Sequence, residues 1–242
     1  MLLLFVIIIY SINSSIIILT IQSQAIKKKH KIQTLIDEGE GKHLDFKFEV
    51  SDAAKIARSL VAFANTEGGK LLIGVMDNGN ISGIRSEEEH FMLDKAATIY
   101  RDPKVRFSSK EWIIKGKKVL EVTIPKGEDL PYKAPDHSDK MKAFVRVDDQ
   151  NILANGIQMK IWQKLSINKD VNFVYSHEAK QLLDLFKSDH KLSFSHIQSN
   201  IPISRYRIEN MIANLIIMKV IIMEIDDLNS YFMLNEYLDN DN

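Results

Sequence analysis

The sequence predicts an α+β fold: a mixed, mostly antiparallel sheet with helices, followed by a small domain of helices and one hairpin. Three observations carry that expectation. Leu44 to Val50 alternates apolar and polar residues, as a half-buried strand does. Short strand-type runs recur at Lys70–Val75, Ile81–Ile84, Trp112–Lys115, Lys118–Ile124 and Lys142–Val147. Only two helical stretches interrupt them, which suits α+β and not a doubly wound sheet. From His177 the helical period takes over, until two apolar runs flank Asp226-Asp227-Leu228-Asn229.

Each element has a local reason. Ile32–Asp37 is a short helical stretch before the first strand. Ser51-Asp52 offers an N-cap and negative charge at the positive end of the next helix. That helix sets Ile56, Leu60, Val61 and Ala64 on one face. It stops at Gly68-Gly69, because glycine takes the left-handed conformation that a C-cap needs. Asp77-Asn78-Gly79-Asn80 predicts a hairpin turn, since Asn-Gly tolerates positive φ, so Ile81–Ile84 is expected to return antiparallel. Ser86 and Glu89 have capping-box spacing for a second helix ending before Pro103. Gly116 turns the chain into Lys118–Ile124, and Lys142–Val147 is expected as the last strand of this domain. Residues 156–172 read as a helical linker containing Trp162. Beyond it, His177–Lys187 places Ala179, Leu182, Leu183 and Phe186 on one side. A short helix near Phe194–Asn200 ends at Pro202, and Ser204 caps a longer one to about Met218. Val220–Ile225 and Ser230–Leu234 form the closing hairpin. The expected organisation is a 1–26 hydrophobic segment, a 32–155 domain, a 156–175 linker and a 176–236 domain.

Composition narrows the function classes. The chain has 32 Lys and Arg against 32 Asp and Glu, so it presents no broad basic field to a polyanion. The first 166 residues carry a slight excess, 25 cations against 21 acids, and the remainder has 7 against 11. The absence of cysteine excludes a disulfide framework, a thiolate nucleophile and a Cys-based zinc site. The histidines form no metal-ligand spacing, and nothing resembles a nucleophile elbow. Leu2–Ile21 is uncharged and about as long as a bilayer core requires. Lys27-Lys28-Lys29-His30-Lys31 follows it and favours the cytoplasmic side. The expectation is a membrane tether through residues 2–21, with the rest of the chain cytoplasmic at the inner face of the cell membrane. Upstream sequence read from a misassigned start codon is the alternative.

Three segments and a set of closing residues carry a family resemblance. Glu40-Gly41-Lys42-His43-Leu44-Asp45-Phe46-Lys47 is followed at a fitting distance by Val61-Ala62-Phe63-Ala64-Asn65-Thr66-Glu67-Gly68-Gly69. Leu72-Ile73-Gly74-Val75-Met76-Asp77-Asn78-Gly79 comes next, and Pro125, Pro131 and Phe144-Val145-Arg146-Val147 close the series. Together these resemble the Schlafen AlbA-type domain, also called divergent AAA, over about residues 32–155. The resemblance implies the fold above and a choice of functions: transcriptional regulation, ATP or nucleotide binding, or metal-dependent RNA cleavage. In the nuclease branch three carboxylates surround Mg²⁺ or Mn²⁺. Carried onto this sequence they are Glu40, Asp45 and Asp77, with Lys47 beside them to neutralise a phosphate. The family usually has Glu at the second position, and the shorter Asp45 changes the reach of its carboxylate.

The residues themselves leave alternatives open. Asp77 suits the first position of an Asn-Gly turn, Asp45 the solvent side of a half-buried strand, and Glu40 a loop. Asn65, Thr66, Glu67, Gly68 and Gly69 offer polar groups and exposed amides to a phosphate. They equally suit a capped helix terminus. No Gly-Lys-Ser/Thr cradle occurs, so ATP hydrolysis is not expected. Arg146 shares a strand face with Phe144 and is placed to meet an acid or a phosphate. The C-terminal helices and hairpin resemble a winged helix-turn-helix. Its third helix would present Arg205, Tyr206, Arg207 and Asn210 to nucleic acid near its start, while its apolar positions would also suit a homodimer. The combined expectation is a nucleic-acid-binding regulator of transcription. A three-carboxylate ribonuclease and a nucleotide-binding protein without hydrolysis are the alternatives.

Overall fold

The computed structural model describes residues 31–84, 88–99, 103–167, 173–226 and 229–235. The hydrophobic segment at residues 1–26 and the cap at Ser86 lie outside them. Among the described residues, no helix is long and apolar enough to cross a membrane. The chain divides into two compact units, the first ending at Gly39 and the second beginning at Glu40. Helix α1 (Lys31–Glu38) belongs to the first, and all later elements to the second.

The second unit begins with strand β1 (Leu44–Lys47). Asp52 then accepts main-chain hydrogen bonds from Ala54 and Lys55 and so starts α2 (Ala53–Asn65). Ten of the 13 residues of α2 are buried, so this helix lies inside the domain and not on its surface. It leads to β2 (Gly69–Ile73), which pairs parallel with β1 from Leu44–Lys70 to Lys47–Ile73. After α3 (Glu88–Ile99), the hairpin β3 (Ser108–Ile114) and β4 (Lys117–Ile124) completes a four-stranded sheet. The order is β1-β2-β4-β3, antiparallel except for the β1–β2 pair. A second sheet, β5-β6-β7, comprises Lys133–Pro135, Met141–Val147 and Gln150–Leu153. Helix α2 contacts both sheets, and its Phe63, Leu60 and Ile56 join Leu71, Ile73 and Phe144 in the main core.

Two expectations change here. Ile81–Ile84 does not return as a strand and keeps only an isolated bridge, Val75 to Ile81. Gly74 and Gly83 explain it: at φ +90° and +81° their backbones cross so closely that a Cβ on Gly74 would lie 2.8 Å from Gly83. Lys142–Val147 is not the last strand, because Asp148 at φ 47° turns the chain directly into β7.

The segment expected as a linker contains helix α4 (Gly156–Ser166), and the helix is anchored on two sides. Its Trp162 packs with Ala143 and Val145 of β6, while its Ile157 enters the C-terminal core. That core is built by α5 (His177–Ser188), α6 (Phe194–Asn200) and α7 (Arg205–Ile217). Ser176, Ser193 and Ser204 cap the three helices in turn. Strands β8 (Leu192–Ser193), β9 (Ile221–Ile225) and β10 (Ser230–Leu234) form an antiparallel sheet in the order β8-β10-β9. Phe186 and Phe232 are buried among Leu182, Ile208 and Ile212, each worth roughly 1.5–3 kcal/mol over its exposed state.

Candidate functional site

Strand β1 lies at a sheet edge, where the Gly41 main chain bridges Leu44 and side chains meet the outward groups as well. The Phe46 N–H donates to Glu40 Oε1 at 2.7 Å. Arg146 of β6 donates through Nη2 to the Leu44 carbonyl at 3.2 Å and through Nε to the Gly41 carbonyl at 3.1 Å. Lys47 Nζ donates to the Phe46 carbonyl at 2.8 Å. On its inward side β1 pairs with β2, and just before it the His43 carbonyl accepts from the Lys70 N–H at 2.9 Å. Unpaired edge groups would cost stability if buried, so Glu40, Arg146 and Lys47 stand in for a missing strand.

The same side chains form a charge cluster around Asp45. Asp45 is 2% exposed, so the alternative that put it on the solvent side of the strand does not hold. Lys47 Nζ lies 2.7 Å from Oδ2, and Arg146 Nη2 3.4 Å from Oδ1. Ser59 donates to Oδ2 at 3.3 Å, and Asn151 donates to Ser59 Oγ at 2.9 Å. Burial raises the Glu40 carboxyl above the ordinary glutamate value, and a hydrogen bond with Asp45 and its charge add to this. The Phe46 N–H and the Lys47 charge oppose the rise. Glu40 therefore holds a proton toward Asp45 more readily than a solvated glutamate does.

Asp77 is exposed in its turn. Among the described residues, no group of three or more His, Asp or Glu is placed to hold a metal ion. Glu40 and Asp45 thus converge without Asp77. The Asp45 oxygens face two cations and a hydroxyl of the chain itself, so as arranged the donor set does not fit a divalent ion.

The turn after α2 is a structural joint. Asn65 is buried; its Nδ2 donates to the Tyr132 and Phe144 carbonyls at 2.8 Å each, and its Oδ1 accepts from the Tyr132 N–H at 2.7 Å. Thr66 Oγ1 donates to the Ala62 carbonyl at 2.8 Å and accepts from the Arg146 N–H at 2.9 Å. The Gly68 N–H is spent on the Phe63 carbonyl at 2.9 Å, so it does not face a phosphate. Gly68 sits at φ +76°, and a Cβ on Gly69 would come 2.3 Å from the Phe63 ring. Glu67 alone of this group is well exposed; Lys42 at 2.6 Å, its main hydrogen-bond partner, lowers its carboxyl pKa. His43 also faces Glu67, at 3.3 Å, and not the carboxylates of β1. A cleft of about 400 Å³ beside the turn is lined by Lys42, Thr66, Arg146, Gln158 and Glu224 among others.

The last four candidates lie together at the start of α7. Tyr206 is 68% exposed. Arg205 donates through Nε to Glu209 Oε1 at 2.9 Å, and its guanidinium lies 4.9 Å from the centre of the Phe194 ring. Arg207 donates to Glu178 at 3.3 Å, and Asn210 turns back to the Tyr206 carbonyl at 2.9 Å. Lys160 of α4, which the sequence reading passed over, sits 3.9 Å from the Tyr206 ring centre and 3.5 Å from Glu209 Oε2. The i,i+4 spacing of Arg205 and Glu209 was a readable signal; the approach of Lys160 across 49 positions was not.

Comparisons with known proteins bear on these arrangements. A model of the family described as "Schlafen, AlbA_2" matches residues 40–155. No curated protein matches the chain. Among solved structures, the DIP2311 protein from Corynebacterium diphtheriae is 18% identical with a TM-score of 0.42. That match covers 80% of this chain and 34% of the other, so the chain spans about a third of its length. The N-terminal domain of a RecG-related protein from Nitrosomonas europaea is 20% identical with a TM-score of 0.34. Here 62% of this chain and 97% of the other are covered.

Proposed function

Because residues 40–155 belong to the Schlafen, AlbA_2 family, we propose that the chain is a nucleic-acid-binding protein that regulates transcription. In this reading residues 32–155 form the family domain, residues 156–175 connect it, and residues 176–236 are a winged-helix contact module. The observation that carries the proposal is the first turn of α7. It exposes Arg205, Tyr206 and Arg207 in consecutive positions, with a β-hairpin following the same helix. Cations and an aromatic ring at a capped helix start can meet phosphates and bases together.

The alternatives have less support. The Arg146 and Asn65 side chains are consumed by main-chain and carboxylate partners, which leaves little for a nucleotide phosphate. A three-carboxylate ribonuclease would need Asp77 to join Glu40 and Asp45.

Fluorescence anisotropy of a labelled oligonucleotide against the whole chain tests the proposal. The expected result is binding that weakens as salt rises, with a log–log slope of about −2 for two or three neutralised phosphates. Binding that is absent at low salt, or unchanged between low and high salt, refutes it.

A further inference from the structure

Beyond its first turn, α7 has no fully exposed residue. Ser204, Arg205, Tyr206 and Arg207 are exposed, but every residue from Ile208 to Ile217 is buried or half-buried. Helix α4 packs along it, and Asn210 is bonded back to the main chain. A helix lying lengthwise in a major groove needs an open face over two or more turns to reach successive base edges. This helix offers only its end.

What that end presents is a continuous chain of rings and charges. It runs from the Phe194 ring to Arg205, to Glu209, to Lys160 and to the Tyr206 ring. The Glu209 carboxylate holds both cations, and each cation lies against a ring. Lys160 supports the Tyr206 ring from one side, and the ring is still 68% exposed. Counting Arg207 and Glu178, three cations stand against two carboxylates, so the strip retains positive charge.

Resting on the nucleic-acid reading above, we propose that this strip binds a single-stranded or unpaired segment of nucleic acid. A base stacks on the open face of Tyr206, and Arg205 and Arg207 meet the flanking phosphates. A ring fixed by an ammonium beneath it is a stacking platform that any base can use, whereas a base in an intact duplex cannot reach it. Lys160 and Glu209 are positioning residues in this scheme.

The test is fluorescence anisotropy of the whole chain with labelled dT12 and with a 12-base-pair duplex, at low salt. The expected result is tighter binding of dT12 than of the duplex. Tyr206→Ala should weaken dT12 binding about tenfold, as loss of one stacked base does, while Tyr206→Phe retains it. Tyr206 is exposed, so both variants should keep the parent melting temperature. Duplex binding equal to or tighter than dT12, or unchanged dT12 binding by Tyr206→Ala, overturns the inference and leaves the nucleic-acid function standing. No binding of either probe overturns both.

Discussion

Replacing Arg146 with methionine separates a structural cation from a phosphate ligand. Arg146 is 3% exposed and serves the Asp45 carboxylate, the Leu44 and Gly41 carbonyls and the Asn151 side chain at once. Removing one member of a buried ion pair generally costs about 3–5 kcal/mol, because the other charge is left behind. Lys47 still faces Asp45 from 2.7 Å, which puts this case at the lower end, about 3 kcal/mol. For a chain of this size that is a fall in melting temperature of roughly 6–12 °C. Adding Asp45→Asn to Arg146→Met removes a buried charge that has lost one of its two cations, so the double variant should recover part of the loss, roughly 1 kcal/mol. Thermal melting followed by circular dichroism reads both effects, and oligonucleotide binding of the folded Arg146→Met protein should stay within about twofold of the parent. A melting shift under about 2 °C, together with lost binding, would refute the structural assignment and make Arg146 a ligand.

Asn65→Ala leaves three main-chain groups of Tyr132 and Phe144 without a partner and should cost about 2–4 kcal/mol, read from the melting temperature. Gly68→Ala combines a left-handed backbone with a Cβ 2.7 Å from the Ile124 carbonyl, so a loss of at least about 2 kcal/mol is expected in the same assay. Glu40 has a folded-state pKa above its ordinary value, so its contribution is present in acid and lost as pH rises through the folded value. Relative to Glu40→Gln, which has no proton to lose, the parent should therefore melt progressively lower across that rise. Asp77→Ala alters an exposed turn and should leave melting unchanged; Mn²⁺-dependent cleavage of transfer RNA that this variant abolishes would instead revive the nuclease reading.

Local chemistry made much of the fold legible. Asp52 and Ser204 cap the helices expected after them, and Gly116 turns the hairpin expected on either side of it. Strand β7 was hidden because Gln150–Leu153 is short and follows two aspartates that read as a loop. The turn at Asn78-Gly79 was recognised, but two glycines whose crossing depends on tertiary approach replaced the expected ladder with one bridge. At the candidate site, the closeness of Glu40 and Asp45 was implied by the family resemblance, which also implied an Asp77 that stays apart from them. That Arg146 would fill the strand's open edge did not, since it arrives from 101 positions away. Residue type could not tell Asn65 as a brace from Asn65 as a ligand; its three main-chain partners decide that.

Helix α4 places neighbouring residues in two different cores, Ile157 with Leu182 and Phe186, and Trp162 with Ala143 and Val145. Asn155 at its start also donates to Ser230 of the hairpin at 2.8 Å. A spacer would let the two halves swing independently; a splint makes them a single cooperative body. Heating should therefore melt residues 40–235 in one transition. A protease cut between Asn155 and Gly156 would strip each half of part of its packing, so the severed pieces should survive only while they remain clasped together.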